Sequence, residues 1–162
     1  MAIAVFPGSF DPVTTGHLDL IRRGAEMFDA LVLGVLINSA KKPLFSVEER
    51  VEMLQELTKD LSNVSVKSFD GLLIDFVTQE QAKVIVRGLR TSGDFEYELP
   101  LAQANYKLNG NADTVFLATA PEHSYISSSA VKELLRYGGD ISGMVPGQVK
   151  ERIQNKLQQS EG

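Results

Sequence analysis

Five short β-rich runs alternate along the chain with segments of helical period, and no other feature limits the fold so tightly. The runs are "AIAVF" from Ala2, "LVLGVLI" from Leu31, "VSVKSF" from Val64, "KVIVRGLR" from Lys83 and "DTVFLAT" from Asp113. Between the first two, Leu18, Ile21, Ala25 and Phe28 recur at spacings of three and four, which places them on one face of a helix. Ser46 followed by Glu49 is a capping-box pattern, and Val47, Val51 and Leu54 supply the buried stripe of the helix it opens. The helical "LLIDFVTQEQ" repeats the unit. Phe95, Leu99, Ala102 and Tyr106 mark a long helix in which Pro100 should remove one backbone hydrogen bond and introduce a kink. "AVKELLRYGG" from Ala130 ends at a glycine pair suited to a helix C-terminus, and Pro146 opens a last amphipathic helix through Val149 and Ile153. Strands that read as continuous apolar runs, each followed by a helix, imply a parallel sheet covered on both faces by right-handed crossovers. The expected architecture is therefore a single-domain, doubly wound, Rossmann-like α/β fold of five parallel strands with C-terminal helices. It should occupy residues 1–157, with the polar end 158–162 frayed.

Composition excludes several function classes. The 162 residues suit one domain with a sizeable core, and 43% hydrophobic with 23% charged residues is too apolar for disorder. With no cysteine, thiol nucleophiles, disulfides and thiolate metal sites are ruled out, and two histidines far apart do not make a zinc site, so no protein-held metal is expected. A net charge of -5 argues against non-specific nucleic-acid binding, which needs a basic face. The start lacks the basic n-region of a signal peptide and "ALVLGVLI" is too short to span a bilayer, so the protein is expected in the cytoplasm without a membrane partner.

In a doubly wound fold ligands sit beyond the carboxyl ends of the strands, near the point where strand order reverses. The loops on that edge carry Gly8, Ser9, Asp11 and His17 after the first strand, and Asn38, Ser39, Lys41 and Lys42 after the second. Asp70 and Gly71 follow the third, Arg87, Gly88 and Arg90 the fourth, and Thr119 with Ser127, Ser128 and Ser129 the fifth. Four cations on one edge of an acidic protein, beside glycine-rich backbone and two helix starts, describe a site for several phosphates.

The first loop, "GSFDPVTTGH", lacks both the G-x-G-x-x-G fingerprint and a Walker lysine. Thr14 or Thr15 can cap the helix, Gly16 permits close backbone approach, and His17 falls in the first turn. There the positive end of the helix dipole opposes imidazolium formation, so His17 suits a neutral hydrogen-bond donor, or a cation only once a phosphate arrives.

These residues resemble a known family. "GSFDPVTTGH" is similar to the T-x-G-H signature of the nucleotidyltransferase superfamily, and "RGLRTSGDFEYE" with "YISSS" resembles its phosphopantetheine adenylyltransferases, in order from Ala4 to about Pro146. The resemblance implies transfer of the adenylyl group of ATP to 4'-phosphopantetheine, with Mg2+ accompanying ATP, by a chain that assembles as a homohexamer. It places Ser9, Lys41, Leu73 and Arg87 on the phosphopantetheine side. On the ATP side it places Ser9, Phe10, His17, Gly88, Leu89, Arg90 and Glu98, with the loop His123, Ser124, Tyr125, Ile126, Ser127, Ser128 and Ser129. It makes His17, Lys41 and Arg90 catalytic: Lys41 with Arg87 to orient the attacking phosphate, His17 to stabilise the α-phosphate, and Arg90 to hold the ATP tail. His123 stands where the family more often has a large aromatic residue. Three rivals remain open on the residues alone: a related enzyme with a nicotinate mononucleotide or glycerol phosphate acceptor, a non-catalytic nucleotide-binding regulator, and a flavodoxin-like carrier. "RGLR" with "DFEYE" disfavours the first, His17 with Lys41 the second, and the absence of tryptophan the third.

Overall fold

The computed structural model of the chain describes residues 1–38 and 42–161. Strand β1 (Ile3–Gly8) lies at the centre of a wholly parallel sheet. It pairs on one side with β2 (Ala30–Leu36), from Ile3 opposite Ala30 to Gly8 opposite Val35, and on the other with β4 (Val84–Leu89), where Ala4 and Val5 face Val84 and Ile85. Strand β3 (Val64–Phe69) extends the sheet beyond β2 and β5 (Asp113–Ala118) beyond β4, giving the order β3-β2-β1-β4-β5. The winding therefore reverses between β1 and β4, which opens a crevice at their carboxyl ends. This is the five-stranded doubly wound sheet that the sequence pattern predicts.

Hydrophobicity divides cleanly between the two faces. Ala4, Phe6, Leu31, Leu33 and Val35 form one core cluster with Leu20 and Ile21 of α1 (Thr15–Met27), Leu54 of α2 (Val47–Leu57) and Val131 of α5 (Ser128–Arg136). Val149 and Ile153 of α6 (Gly147–Glu161) complete it. On the other face Val5, Val32 and Ile85 gather Phe69 and the Ile74, Phe76 and Val77 side chains of α3 (Leu73–Gln79). β1 and β2 are buried on both faces, as their unbroken apolar runs require, whereas β3 alternates: Val64 and Val66 point inward while Ser65 and Lys67 are exposed. A strand with only one covered face needs only every second residue apolar.

The long helix α4 (Ser92–Leu108) runs through Pro100 and lies over β4 and β5. Among its residues only Glu98 is buried, while Phe95 and Tyr106, two of the residues that mark its period, are 42% and 52% exposed. Period alone locates apolar side chains without saying what covers them. Helix α6 continues to Glu161, through the residues for which the sequence suggests fraying. A single 3-10 turn, Pro121–His123, precedes α5.

Gly34, midway along β2, is a close-packing position. A Cβ there would lie 2.8 Å from Phe76 Cε1 and 3.2 Å from Phe69 Cε1, two rings stacked at 4.6 Å between centroids. Gly34→Ala should therefore lower stability by about 1–3 kcal/mol, the usual cost of overpacking a core. Urea unfolding checks this, and an unchanged midpoint with an unchanged slope would show that the ring pair slides aside freely.

Candidate active site

The crevice is built around the start of α1. Thr14, rather than Thr15, is its N-cap: the Thr14 Oγ1 accepts from the His17 N–H at 3.2 Å, and the Thr14 N–H donates to His17 Nδ1 at 3.0 Å. The pair is a capping box in which histidine takes the place of the usual Glu or Gln. Thr15 is held instead by the segment before α6, its N–H donating to the Met144 carbonyl at 2.9 Å. On the other side of His17 the buried Phe10 ring makes an edge contact, 5.2 Å between centroids. Phe10 has φ of 50°, the left-handed region, a conformation that its buried side chain holds in place.

Because Nδ1 accepts from the backbone, the ring proton of neutral His17 resides on Nε2. Its pKa is lowered from 6.5 to about 4, first by burial and then by the neighbouring Arg87 and Arg90 guanidiniums. Burial and two neighbouring cations thus disfavour the imidazolium, in the same direction as the helix start. His17 is a fixed neutral donor.

Arg87, on β4, is bound at every nitrogen. Its Nε and Nη2 donate to the two Glu98 carboxylate oxygens at 2.9 and 2.6 Å, and Nη1 donates to the Pro7 carbonyl at 2.9 Å. This meets the requirement that a guanidinium at the end of an apolar strand find an anion. Arg90 is tied to the first turn of α4: its N–H and Nε reach Asp94 Oδ2 at 2.8 and 3.2 Å. A Cβ at the adjacent Gly88 would collide with Leu20 Cδ1 of α1, so strand and helix are closely packed there.

Two cavities meet at Arg87. The first, about 270 Å3, is lined by Ser9, Phe10, His17, Arg87, Gly88, Arg90, Glu98, Ile126, Ser127 and Ser128, all of them expected site residues. The second, about 310 Å3, has an apolar wall of Leu36, Phe69, Leu72, Leu73, Ile85 and Leu101. Pro7, Gly8, Arg87 and Glu98 belong to both. Helix α5 points its start at the first cavity, with Ser127 as N-cap accepting from the Ala130 N–H at 3.0 Å, while the Ser128 hydroxyl is committed to the Pro12 carbonyl at 2.8 Å.

Not every expected residue reaches these walls. Leu89, His123, Ser124, Tyr125 and Ser129 line neither cavity. His123 packs against the start of α1, where a Cβ on Gly16 would meet its Cβ at 3.5 Å, and its Nδ1 is enclosed without a partner among the described residues. Lys41 lies outside the described residues, and Lys42 is exposed. Sequence reading missed Arg50 and Lys132, which hold the site from behind. Arg50 had a legible signal, since it falls between Val47 and Leu54 on the apolar stripe of α2, where a solvated cation does not belong. A larger groove of about 630 Å3 between α2 and α6 is remote from the strand ends, and its Arg152 and Glu52 pair with each other at 2.9 Å.

A reversing parallel sheet whose crevice carries a Thr-x-Gly-His helix start and two strand-end arginines defines a nucleotidyltransferase of the cytidylyltransferase-like class, and the profile of the cytidylyltransferase-like family matches residues 5–134. Phosphopantetheine adenylyltransferase of Caldanaerobacter subterraneus subsp. tengcongensis is 51% identical over 160 residues, covering 99% of this chain and 100% of its own. That of Lachnoclostridium phytofermentans is 56% identical over 156 residues, 96% of each chain. The chain belongs to the phosphopantetheine adenylyltransferase family. A solved structure from Vibrio parahaemolyticus, named for nicotinate-nucleotide adenylyltransferase, superposes with a TM-score of 0.70 over 96% of this chain and 93% of its own. At 21% identity it is evidence for the fold alone.

The state of His17 has a pH signature. Between pH 6.5 and about 4 the unfolded chain takes up a proton that folded His17 refuses, so wild-type stability should fall as pH drops through that window. His17→Gln should flatten that part of the stability profile. It should also keep more turnover than His17→Ala, because it retains a donor. A ring titrating at its ordinary value by NMR, or equal turnover in the two variants, would remove the neutral-donor role.

Proposed function

We propose that the chain transfers the adenylyl group of ATP to 4'-phosphopantetheine, forming dephospho-coenzyme A and pyrophosphate by direct in-line displacement. The observation that carries this reading is the pair of cavities joined at Arg87: a polar one facing two helix starts, suited to ATP, and an apolar one suited to an extended pantetheine arm. The full-length relatives of the same name support it.

The reaction needs no general base, because the attacking phosphate is already anionic near neutral pH. One of its oxygens bonds to the α-phosphorus while the bond to the bridging oxygen of the β-phosphate breaks, and pyrophosphate carries that electron pair away. Catalysis then consists of bringing two polyanions together and stabilising charge on the α-phosphate. Arg87, with Lys41 from the neighbouring loop, orients the acceptor phosphate at the junction; Arg87 reaches it by sharing its guanidinium with Glu98. His17 donates from Nε2 to α-phosphate oxygens, and Arg90 with the start of α5 holds the ATP tail. The carboxylates lining the polar cavity, Asp94 and Glu98, are engaged by arginines, so magnesium would enter with ATP and would supply charge neutralisation to the triphosphate.

We extend the proposal to the cytoplasm, where ATP is available, and to a homohexamer. The support for assembly is α4, which leaves Phe95, Tyr97, Leu101, Tyr106 and Leu108 exposed at 42% to 70% in the single chain. Sedimentation should give a species of six chains, and a monomer at micromolar concentration would end that part of the proposal.

The acceptor and the route are tested together. With ATP, magnesium and a panel of phosphorylated acceptors, mass spectrometry should find dephospho-coenzyme A, and adenylylation of nicotinate mononucleotide in its place would overturn the reading. Labelled pyrophosphate should enter ATP only when dephospho-coenzyme A is added. Exchange without it, together with a protein mass raised by one adenylyl group, would mean a covalent intermediate.

A further inference from the structure

Thr119 stands at the carboxyl end of β5 and lines the polar cavity, yet none of the steps proposed above uses it. Its backbone is fixed. The N–H donates to the Leu89 carbonyl at 2.8 Å, which carries the pairing of β4 with β5 one residue beyond the strand, and the Ala120 carbonyl beside it accepts from the His123 N–H at 2.9 Å in the turn that follows. Its side chain is free, because the hydroxyl makes no hydrogen bond among the described residues. A β-branched side chain on a fixed backbone has restricted rotamers, so the hydroxyl is uncommitted and still held in place.

Its surroundings are apolar. Thr119 Oγ1 lies 3.9 Å from the position that a Cβ on Gly88 would take, and Leu20 Cγ lies 3.7 Å from the same point. Ile126 lines the cavity from the other end of the loop that joins β5 to α5, while residues 120–125 between them line neither cavity. Leu20 and Ile126 are 5% and 3% exposed. With Gly88 they form a low apolar seat that has one free hydroxyl at its edge. The groups assigned to the phosphates, His17, Arg90 and the start of α5, are all donors, whereas a planar base needs apolar contact with its faces and a few polar groups at its edge. The exocyclic amino group of adenine is a donor and requires an acceptor. Asp94 and Glu98 are engaged by arginines, and the Thr119 oxygen is open to accept.

We propose that Thr119 is a specificity-determining residue for the base of ATP: the adenine lies against Leu20, Gly88 and Ile126, and its exocyclic amino group donates to the Thr119 hydroxyl. The inference rests on the adenylyl-transfer reading above. A base without that amino group forfeits this hydrogen bond and binds less tightly. Thr119 does not line the apolar cavity, and its hydroxyl ties down no other part of the protein, so replacing it leaves the acceptor side untouched.

The test is a double-mutant cycle between the side chain and the base. Thr119→Val puts a methyl of nearly the same size in place of the hydroxyl, and purine riboside triphosphate is ATP without the amino group. Thr119→Val should raise the KM for ATP about three- to tenfold, the scale of one hydrogen bond between uncharged groups, and leave the KM for purine riboside triphosphate and for 4'-phosphopantetheine within about twofold. Wild-type enzyme should prefer ATP to the purine riboside nucleotide, and Thr119→Val should lose that preference. Thr119→Ser, which restores the hydroxyl, should stay within about twofold of wild type on ATP. Where Thr119→Val does not fold, Thr119→Ala completes the same cycle. An unchanged KM for ATP without the hydroxyl, or an equal rise for both nucleotides, which is what a merely structural defect gives, would overturn the role. Wild-type enzyme that forms no dephospho-coenzyme A would instead overturn the proposed function, and the two failures are told apart by that control.

Discussion

The close approach of α1 to the sheet at Gly88 governs the rest of the site. Leu20 of α1 occupies the space that a side chain at position 88 would need, so helix and strand meet closely there. His17 thereby comes beside Arg87 and Arg90, whose charges help to hold its ring neutral. The reversal of strand order supplies a crevice, and the packing of α1 over it decides which side chains share it.

The cations in this crevice are arranged by carboxylates. Glu98 fixes the Arg87 fork, and Asp94 fixes Arg90. This resolves an apparent conflict between a net charge of -5 and a site for two polyanions. Each carboxylate lowers the field that an incoming phosphate meets, yet each also orders a side chain that would otherwise lose rotamer freedom on binding. Placement at the junction of two cavities makes Arg87 reachable from both, whereas a guanidinium exposed on one wall would serve a single ligand.

Much of this was legible in the sequence, for reasons that differ from element to element. The Ser46 and Glu49 capping box forms as its spacing requires, and the doubled burial of β1 and β2 follows directly from runs with no polar interruption. Gly138, with φ of 72°, ends α5 where the glycine pair indicated. What spacing does not report is what faces an element. Phe95 and Tyr106, which mark the period of α4, have little to cover them within one chain. Arg87 engages both oxygens of Glu98, and His123 packs against Gly16, partners that no spacing names.

The capping role of His17 also explains why a histidine suits this position better than a more strongly charged group. Nδ1 is consumed by the Thr14 N–H, so the ring cannot flip without breaking the start of the helix, and Nε2 is left as a donor in a fixed direction. Adenylyl transfer moves no proton at its central step, which makes acid strength irrelevant and orientation decisive. A lysine here would add a third cation to Arg87 and Arg90 and would need an anion to offset it in the free protein, while a neutral imidazole needs none. In the proposed transfer, negative charge accumulating on the α-phosphate oxygens would strengthen the hydrogen bond from this neutral donor with little reorganisation, beside arginines that supply the charge. On that reading helix capping and transition-state stabilisation place the same constraint on one ring.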